Sequence, residues 1–257
     1  MRTILRRHLG KLVAGTAVAL TGSAVAVAVT LPGAAGAGER DVKTAARQAP
    51  LPGVVEAAPS EGDKGVGTDP LTTAETERAE KAALSGEARL AARDVEGDRG
   101  PQHLSTDLSE PDPADGDDTA RRAEILYYDY KTDELIAKTV NLTTGKVETT
   151  EAERGIQPPA VAAERAEAAE LLMADPLGAD LKRDYEDATG NALTSAGQLH
   201  LNAFVFRKET VEQVPPALSK CGEHRCIRLV AKVVNGPWID IRNLVIDLSD
   251  RKVTRLP

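Results

Sequence analysis

The chain has 257 residues, 28% of them charged, with a formal net charge of −8, only 3% aromatic residues and four histidines. Such an acidic surface is repelled by nucleic acid and by anionic membranes, which excludes a nucleic-acid role. Two cysteines, Cys221 and Cys226, limit the chain to one disulfide of its own.

The first segment is built for targeting. Arg2, Arg6, Arg7 and Lys11 form a positive head, Leu12 to Leu31 is apolar, and Ala35-Gly36-Ala37 offers the small residues a signal peptidase needs. Residues 1–37 are therefore expected to be a signal peptide cleaved after Ala37, with a retained anchor as the alternative because the run is about membrane-spanning length. Arg6-Arg7 is a loose twin-arginine signal. Cleavage would remove four cations and no anion, taking the net charge from −8 to −12 and leaving a secreted protein without membrane attachment. Residues 38–70 are rich in Gly, Pro, Ala, Glu and Lys and poor in large apolar residues, the composition of a disordered linker that cannot offset its ordering entropy.

The rest reads as α+β, in two tandem units at 71–155 and 156–257. In the first, Thr72 and Glu75 predict a capping box for a helix over 74–84, and Ser85-Gly86 stops it. A strand is predicted over 88–95, then a Gly-, Pro-, Asp- and Ser-rich loop over 96–120. Its acidic run Asp112–Asp118 lacks the distal Glu of an EF-hand loop and reads as solvated. Glu124–Tyr130 and Leu135–Leu142 are β-branched and aromatic, so they predict a hairpin across Lys131–Glu134. Thr143-Thr144-Gly145 turns into a short strand over 146–150.

The second unit repeats the plan. A helix is predicted over 160–174, its stripe Ala162, Ala166, Ala169 and Met173, with Leu172, facing the core. A further short helix is expected within 177–195, then strands over 199–207, 227–234, 239–248 and 252–256. Two echoes support the repetition. Val140-Asn-Leu-Thr-Thr-Gly-Lys-Val147 returns as Ile246-Asp-Leu-Ser-Asp-Arg-Lys-Val253, and Glu77-Arg-Ala-Glu80 returns as Glu164-Arg-Ala-Glu167.

No catalytic constellation stands out. Cys221 and Cys226 read as a disulfide pinning a turn between strands; with His224 they would alternatively hold a soft metal such as copper or zinc, but a closed site needs a fourth ligand that the sequence does not offer. No Gly-x-Ser-x-Gly elbow is present. The helix glutamates sit among Arg and Lys and read as solvated faces. Tyr127, Tyr128 and Tyr130 read as residues split between core and sheet surface, with Tyr128 and Tyr130 candidates for an interaction surface. Trp238, the single Trp, reads as a lid over the core or as an exposed anchor, the lid being the expectation.

One resemblance sharpens this. Tyr127 to Val147, Gly155-Ile-Gln-Pro-Pro159, a Glu-bearing helix and Ala174-Asp175-Pro176 resemble the junction of the two small N-terminal, non-catalytic domains of copper amine oxidases. The likeness spans roughly 70–257, most closely 122–185, and implies units that each pack a helix on a curved antiparallel sheet, cystatin-like in plan. In that family the chemistry needs a quinone-forming tyrosine in Thr-x-x-Asn-Tyr-Asp/Glu and a His-x-His pair with a third His at copper. This chain has neither motif, so no catalytic residue and no cofactor carries over. The expectation is a secreted non-catalytic module that binds or scaffolds a protein partner. Its alternatives are an amine oxidase accessory or remnant with weak copper or amine handling, and a secreted enzyme inhibitor presenting loops 96–120 and 208–224.

Overall fold

The structure, a computed structural model, describes residues 62–84, 86–110 and 120–257. The leader with Ala37, most of the 38–70 linker and the run Asp112–Asp118 lie outside the described residues.

Two antiparallel sheets and their helices make an α+β fold. The chain runs through helices α1 (Thr73–Ala83) and α2 (Gly86–Ala91) into strands β1 (Gln102–Leu108), β2 (Arg122–Asp129), β3 (Glu134–Asn141) and β4 (Lys146–Arg154). It continues through α3 (Ala162–Ala174) and α4 (Ala179–Thr189) to β5 (Leu199–Val205), β6 (Cys226–Val233), β7 (Trp238–Ile239), β8 (Leu244–Asp247) and β9 (Lys252–Arg255). The first sheet has the order β1-β2-β3-β4; the second has β5-β6-β8-β9, with β7 beside β6.

Helix α1 starts as its sequence predicts. Thr72 Oγ1 accepts from Glu75 N–H and the Glu75 carboxylate accepts from Thr72 N–H, closing the capping box. The helix touches all four strands of the first sheet and buries Ala79 and Ala83 against Ala123, Ile125, Tyr127 and Val140. This core is small because the helix contributes methyl groups only. Helix α3 crosses β5, β6, β8 and β9 in the same way and buries Ala168, Ala169 and Leu172 against Ile227, Leu229 and Ile246. The buried face is therefore rotated from the predicted stripe: Ala162 and Ala166 are exposed and Met173 is half-buried. Alanines occupy both faces of α3, so apolar spacing alone could not fix the rotation.

The predicted hairpin of β2 and β3 forms, with Tyr128 opposite Leu135 and Asp129 opposite Glu134, so Glu134 opens the second strand and does not belong to the turn. Its turn ends on Asp133 at φ 56°, a left-handed position that Asp tolerates. The turns of the first echo also match. Asn141 Oδ1 accepts from Thr143 and Thr144 N–H before Gly145 at φ 67°, and Asp247 Oδ1 accepts from Asp250 N–H before Arg251 at φ 54°.

Four local expectations are corrected. The strand predicted over 88–95 is helix α2 up to Ala91. The loop predicted over 96–120 contains β1, whose Gln-His-Leu-Ser-Thr-Asp-Leu sequence lies half-buried along β2. Strand β4 runs on to Arg154, a charged edge of the kind that discourages further strand pairing. The strand predicted over 239–248 is split into β7 and β8, because Asp240 ties the N–H of Arg242 into a turn.

Candidate functional site

The polar centre of the molecule begins at the disulfide. Cys221 and Cys226 are bonded and buried, and the turn between them carries His224 and Arg225 to the mouth of β6. The sulfurs are engaged with each other, which corrects the Cys221, His224, Cys226 ligand set: His224 points instead at carboxylates.

Arg225 is fully buried, as is its partner Glu164 on α3. Its Nε and Nη2 donate to the two oxygens of Glu164, the second at 2.8 Å. The remaining N–H groups donate to Gln157 Oε1 and to the carbonyls of Pro158 and Pro159, so all five guanidinium donors are met. Glu164 in turn accepts from Val161 N–H at 2.8 Å, the returning half of a capping box whose first half Val161 cannot supply, and from the Tyr130 hydroxyl at 2.7 Å. Arg225 also lies 5.3 Å from the centre of the Tyr128 ring. Burial lowers the guanidinium's proton affinity, but the Glu164 carboxylate more than reverses that, and the group stays charged. Burial, then the neighbouring charge of Asp133 or Glu164, pushes the Tyr128 and Tyr130 phenols well above their ordinary value.

The first sheet has a matching arrangement. Arg121, one residue before β2, donates from Nε and Nη2 to Glu75, and from Nη1 and Nη2 to the carbonyls of Gly67, Asp69 and Pro70. Glu75 is buried at the third position of its helix, five residues after Pro70, as Glu164 lies five after Pro159. Burial would raise the Glu75 carboxyl; the Arg121 guanidinium and the N–H donors of Thr72 and Gly65 overcome this and hold it below its ordinary value. The solvated-face reading of the helix glutamates is thus overturned for Glu75 and Glu164. Sequence reasoning also missed Arg121 and Arg225. A usable signal existed: Pro-x-x-x-x-Glu recurs at an offset of 89 residues, with an Arg immediately before a later strand.

Tyr128 and Tyr130 are not a surface patch. Tyr128 is buried and Tyr130 half-buried; their rings meet edge-on at 4.8 Å, and both face the second sheet. The Tyr128 hydroxyl reaches Asp133 Oδ1 at 3.2 Å and the Glu223 carbonyl at 3.3 Å. Their hydroxyls have protein partners within the same molecule, which is why a hairpin end so aromatic leaves the surface.

His224 completes the centre. Its Nδ1 lies 3.0 Å from Asp247 Oδ2 and 3.9 Å from Asp250 Oδ1, while Nε2 lies 3.9 Å from Asp133 Oδ2. Among the described residues, two groups bring donor atoms close enough to share an ion, Cys221 with Cys226 and Asp247, and His224 with Asp247 and Asp250. The disulfide occupies the sulfurs of the first group.

The outer face of the second sheet is different in character. Trp238 is 62% exposed, which corrects the lid reading: it stands on the short strand β7 beside Lys232, whose Nζ lies 5.5 Å from the ring centre. Phe204 is 65% exposed and pairs across the sheet with Arg228. An open groove of about 880 Å³ is lined in part by Arg228, the cross-strand partner of Phe204, and by Glu212, Asp240, Arg242 and Arg255. Asp240 holds Arg242 through paired hydrogen bonds. Among the described residues, no helix is long and apolar enough to cross a membrane.

No protein-family model matches this chain, and no curated protein matches it. Among solved structures, a copper-containing benzylamine oxidase from Hansenula polymorpha is similar in part, at 15% identity and a TM-score of 0.43, over 74% of this chain and 29% of that one. The chain thus spans less than a third of that enzyme's length.

Proposed function

We propose that the protein is a secreted, non-catalytic binding module, and that its contact face is the outer side of the second sheet. The observation that carries this reading is the exposure of Trp238 and Phe204 on one face among Arg228, Lys232 and Arg242. Exposed aromatics flanked by arginine are the side chains that dominate binding energy at protein interfaces. Arg242 is already paired with Asp240, so Arg228 and Lys232 are the cations that favour an acidic partner segment by charge complementarity. The buried carboxylates Glu75 and Glu164 are both held by arginines, which leaves neither free for acid–base work. The disulfide and the positive, apolar, small-residue leader support export.

The module consists, on this reading, of two tandem copies of one helix-on-curved-sheet unit, over 71–155 and 156–257. The paired Glu–Arg arrangements and the matched turns at Asn141 and Asp247 support duplication. The amine oxidase-like motifs around 122–185 suggest its parentage among non-catalytic N-terminal domains.

Trp238 is the single Trp, so its fluorescence reports on the contact face directly. Tagged protein is incubated with culture supernatant in parallel with Trp238→Ala and Lys232→Glu. The expected result is an acidic protein retained by the parent, lost from both variants, and shifting Trp238 emission when added back. Eluates that are the same for parent and variants would refute the reading.

A further inference from the structure

The surroundings of His224 form a second site, separate from the contact face. Three carboxylates converge on this imidazole, and each has its other oxygen anchored. Asp247 Oδ1 accepts from Asp250 N–H at 3.0 Å, leaving Oδ2 to face Nδ1 at 3.0 Å. Asp133 Oδ1 accepts from the Ser249 hydroxyl, leaving Oδ2 to face Nε2 at 3.9 Å. Asp250 Oδ2 lies 3.4 Å from Lys252 Nζ, leaving Oδ1 to face Nδ1 at 3.9 Å. Asp247 is buried and the ring partly so, whereas Asp250 opens to solvent.

A neutral imidazole carries one N–H. With that proton on Nδ1, the ring donates to Asp247 Oδ2 at 3.0 Å; with it on Nε2, the Nδ1 lone pair faces the oxygens of Asp247 and Asp250 and offers them a shared ligand position. A divalent ion can take the place of the Nδ1 proton there. Nδ1, Asp247 Oδ2 and Asp250 Oδ1 all lie within 4.8 Å of one another. A small divalent ion about 2.0–2.2 Å from each donor fits a triangle of that size after slight contraction. Asp133 Oδ2, 3.9 Å from Nε2, would close to hydrogen-bond distance to orient the ligating histidine through its other nitrogen. One imidazole and two carboxylates form a mixed nitrogen and oxygen set, which suits zinc and its transition-metal neighbours and disfavours calcium and magnesium, whose sites are built from oxygen.

We propose that His224, Asp247 and Asp250 bind one zinc-type divalent ion, with Asp133 as the positioning residue and a solvent-facing coordination position left open beside Asp250. Because Asp133 belongs to the hairpin of the first sheet and the ligands to the second, the ion would tighten the junction of the two sheets.

The test is calorimetric titration of chelator-treated full-length protein with zinc chloride, repeated with calcium chloride, and with cobalt(II) as a spectroscopic probe. The expected result is one zinc per chain, a cobalt spectrum showing nitrogen and oxygen coordination, and calcium bound at least about 100-fold more weakly, given the donor set. His224→Gln is expected to abolish binding. Asp250→Asn, at a partly exposed turn where folding is not at risk, is expected to weaken it about 10-fold or more, and Asp133→Asn about 10–100-fold. Absence of zinc binding, zinc binding unchanged in both His224→Gln and Asp250→Asn, or calcium binding as tight as zinc would each overturn the proposal.

Discussion

The Glu75–Arg121 pair in the first sheet and the Glu164–Arg225 pair in the second use the same chemistry at different depths. In both, a helix-start glutamate takes two guanidinium donors while the other donors hold the carbonyls ahead of the helix. They differ at the second carboxylate oxygen. Glu75 Oε1 also accepts from the N–H of Gly65, a local contact, whereas Glu164 Oε1 accepts from Tyr130, which comes from the other sheet. Arg121 keeps some solvent access, but Arg225 has none and is roofed by Tyr128. The first pair therefore fastens a helix to its own sheet. The second fastens a helix to its sheet and the two sheets to each other.

Removing one member of each pair gives the largest test of that difference. Glu164→Gln leaves a buried guanidinium uncompensated and is expected to cost about 3–5 kcal/mol. Glu75→Gln leaves Arg121 near water and is expected to cost about 1–3 kcal/mol. Urea unfolding of both variants at pH 7 measures this through the midpoint. Equal losses would erase the distinction between a local and a bridging pair.

Tyr130→Phe probes the bridging bond alone. It deletes the 2.7 Å hydrogen bond to Glu164 and keeps the ring, so the loss should be about 1.5–3 kcal/mol, the range for hydrogen bonds to charged groups. Combined with Glu164→Gln, the loss should fall short of the sum, because the two share one contact. Additive losses would separate Tyr130 from the pair.

This arrangement was only partly legible in the sequence. The capping box at Thr72, the Glu124–Leu142 hairpin and the turn at Gly145 are all set by residues within a few positions of each other, and the structure has them. The burial of Glu164 is set by Arg225, 61 residues away, and the Pro-x-x-x-x-Glu spacing it shares with Glu75 is the local mark that sets it apart from an exposed helix glutamate. The helix echo also aligned the wrong residues. Glu77-Arg-Ala-Glu80 matches Glu164–Glu167 at an offset of 87, whereas Glu75 and Glu164, the two buried glutamates held by arginines, stand 89 apart. Short charged tetrapeptides recur by chance on solvated helices; a turn that needs a side-chain acceptor and then a left-handed residue does not. Strand β1 was hidden for a different reason: only Leu104 and Leu108 in it are apolar, and its order comes from pairing with β2.

A smaller effect reads the first pair through pH. The folded-state pKa of Glu75 is depressed, so its ionised form contributes stability above the ordinary value of 4.5, and that contribution fades as the pH falls through the lower folded value. Stability measured by urea unfolding from pH 5 downward should fall more steeply for the parent than for Glu75→Gln. Parallel curves would mean that Arg121 does not hold the carboxylate in solution.

The smallest expected effect has the opposite sign. Tyr127 and Tyr130 both come from the β2 segment, but the Tyr127 hydroxyl is buried with no hydrogen-bond partner among the described residues. Burial, and then the charge of Glu80 against that of Arg89, pushes its phenol up to about 12. The ring packs in the core of the first sheet and meets His103 edge-on at 5.6 Å, contacts that Phe would keep. Tyr127→Phe removes only an unsatisfied polar atom, so it should leave stability unchanged or raise it by about 1 kcal/mol. The same urea experiment that shows a loss for Tyr130→Phe should show none here. A loss of similar size at both positions would mean that the Tyr127 hydroxyl has a partner inside the first core. The contrast between a sheet held mainly by methyl packing and a junction held by hydrogen bonds would then fail.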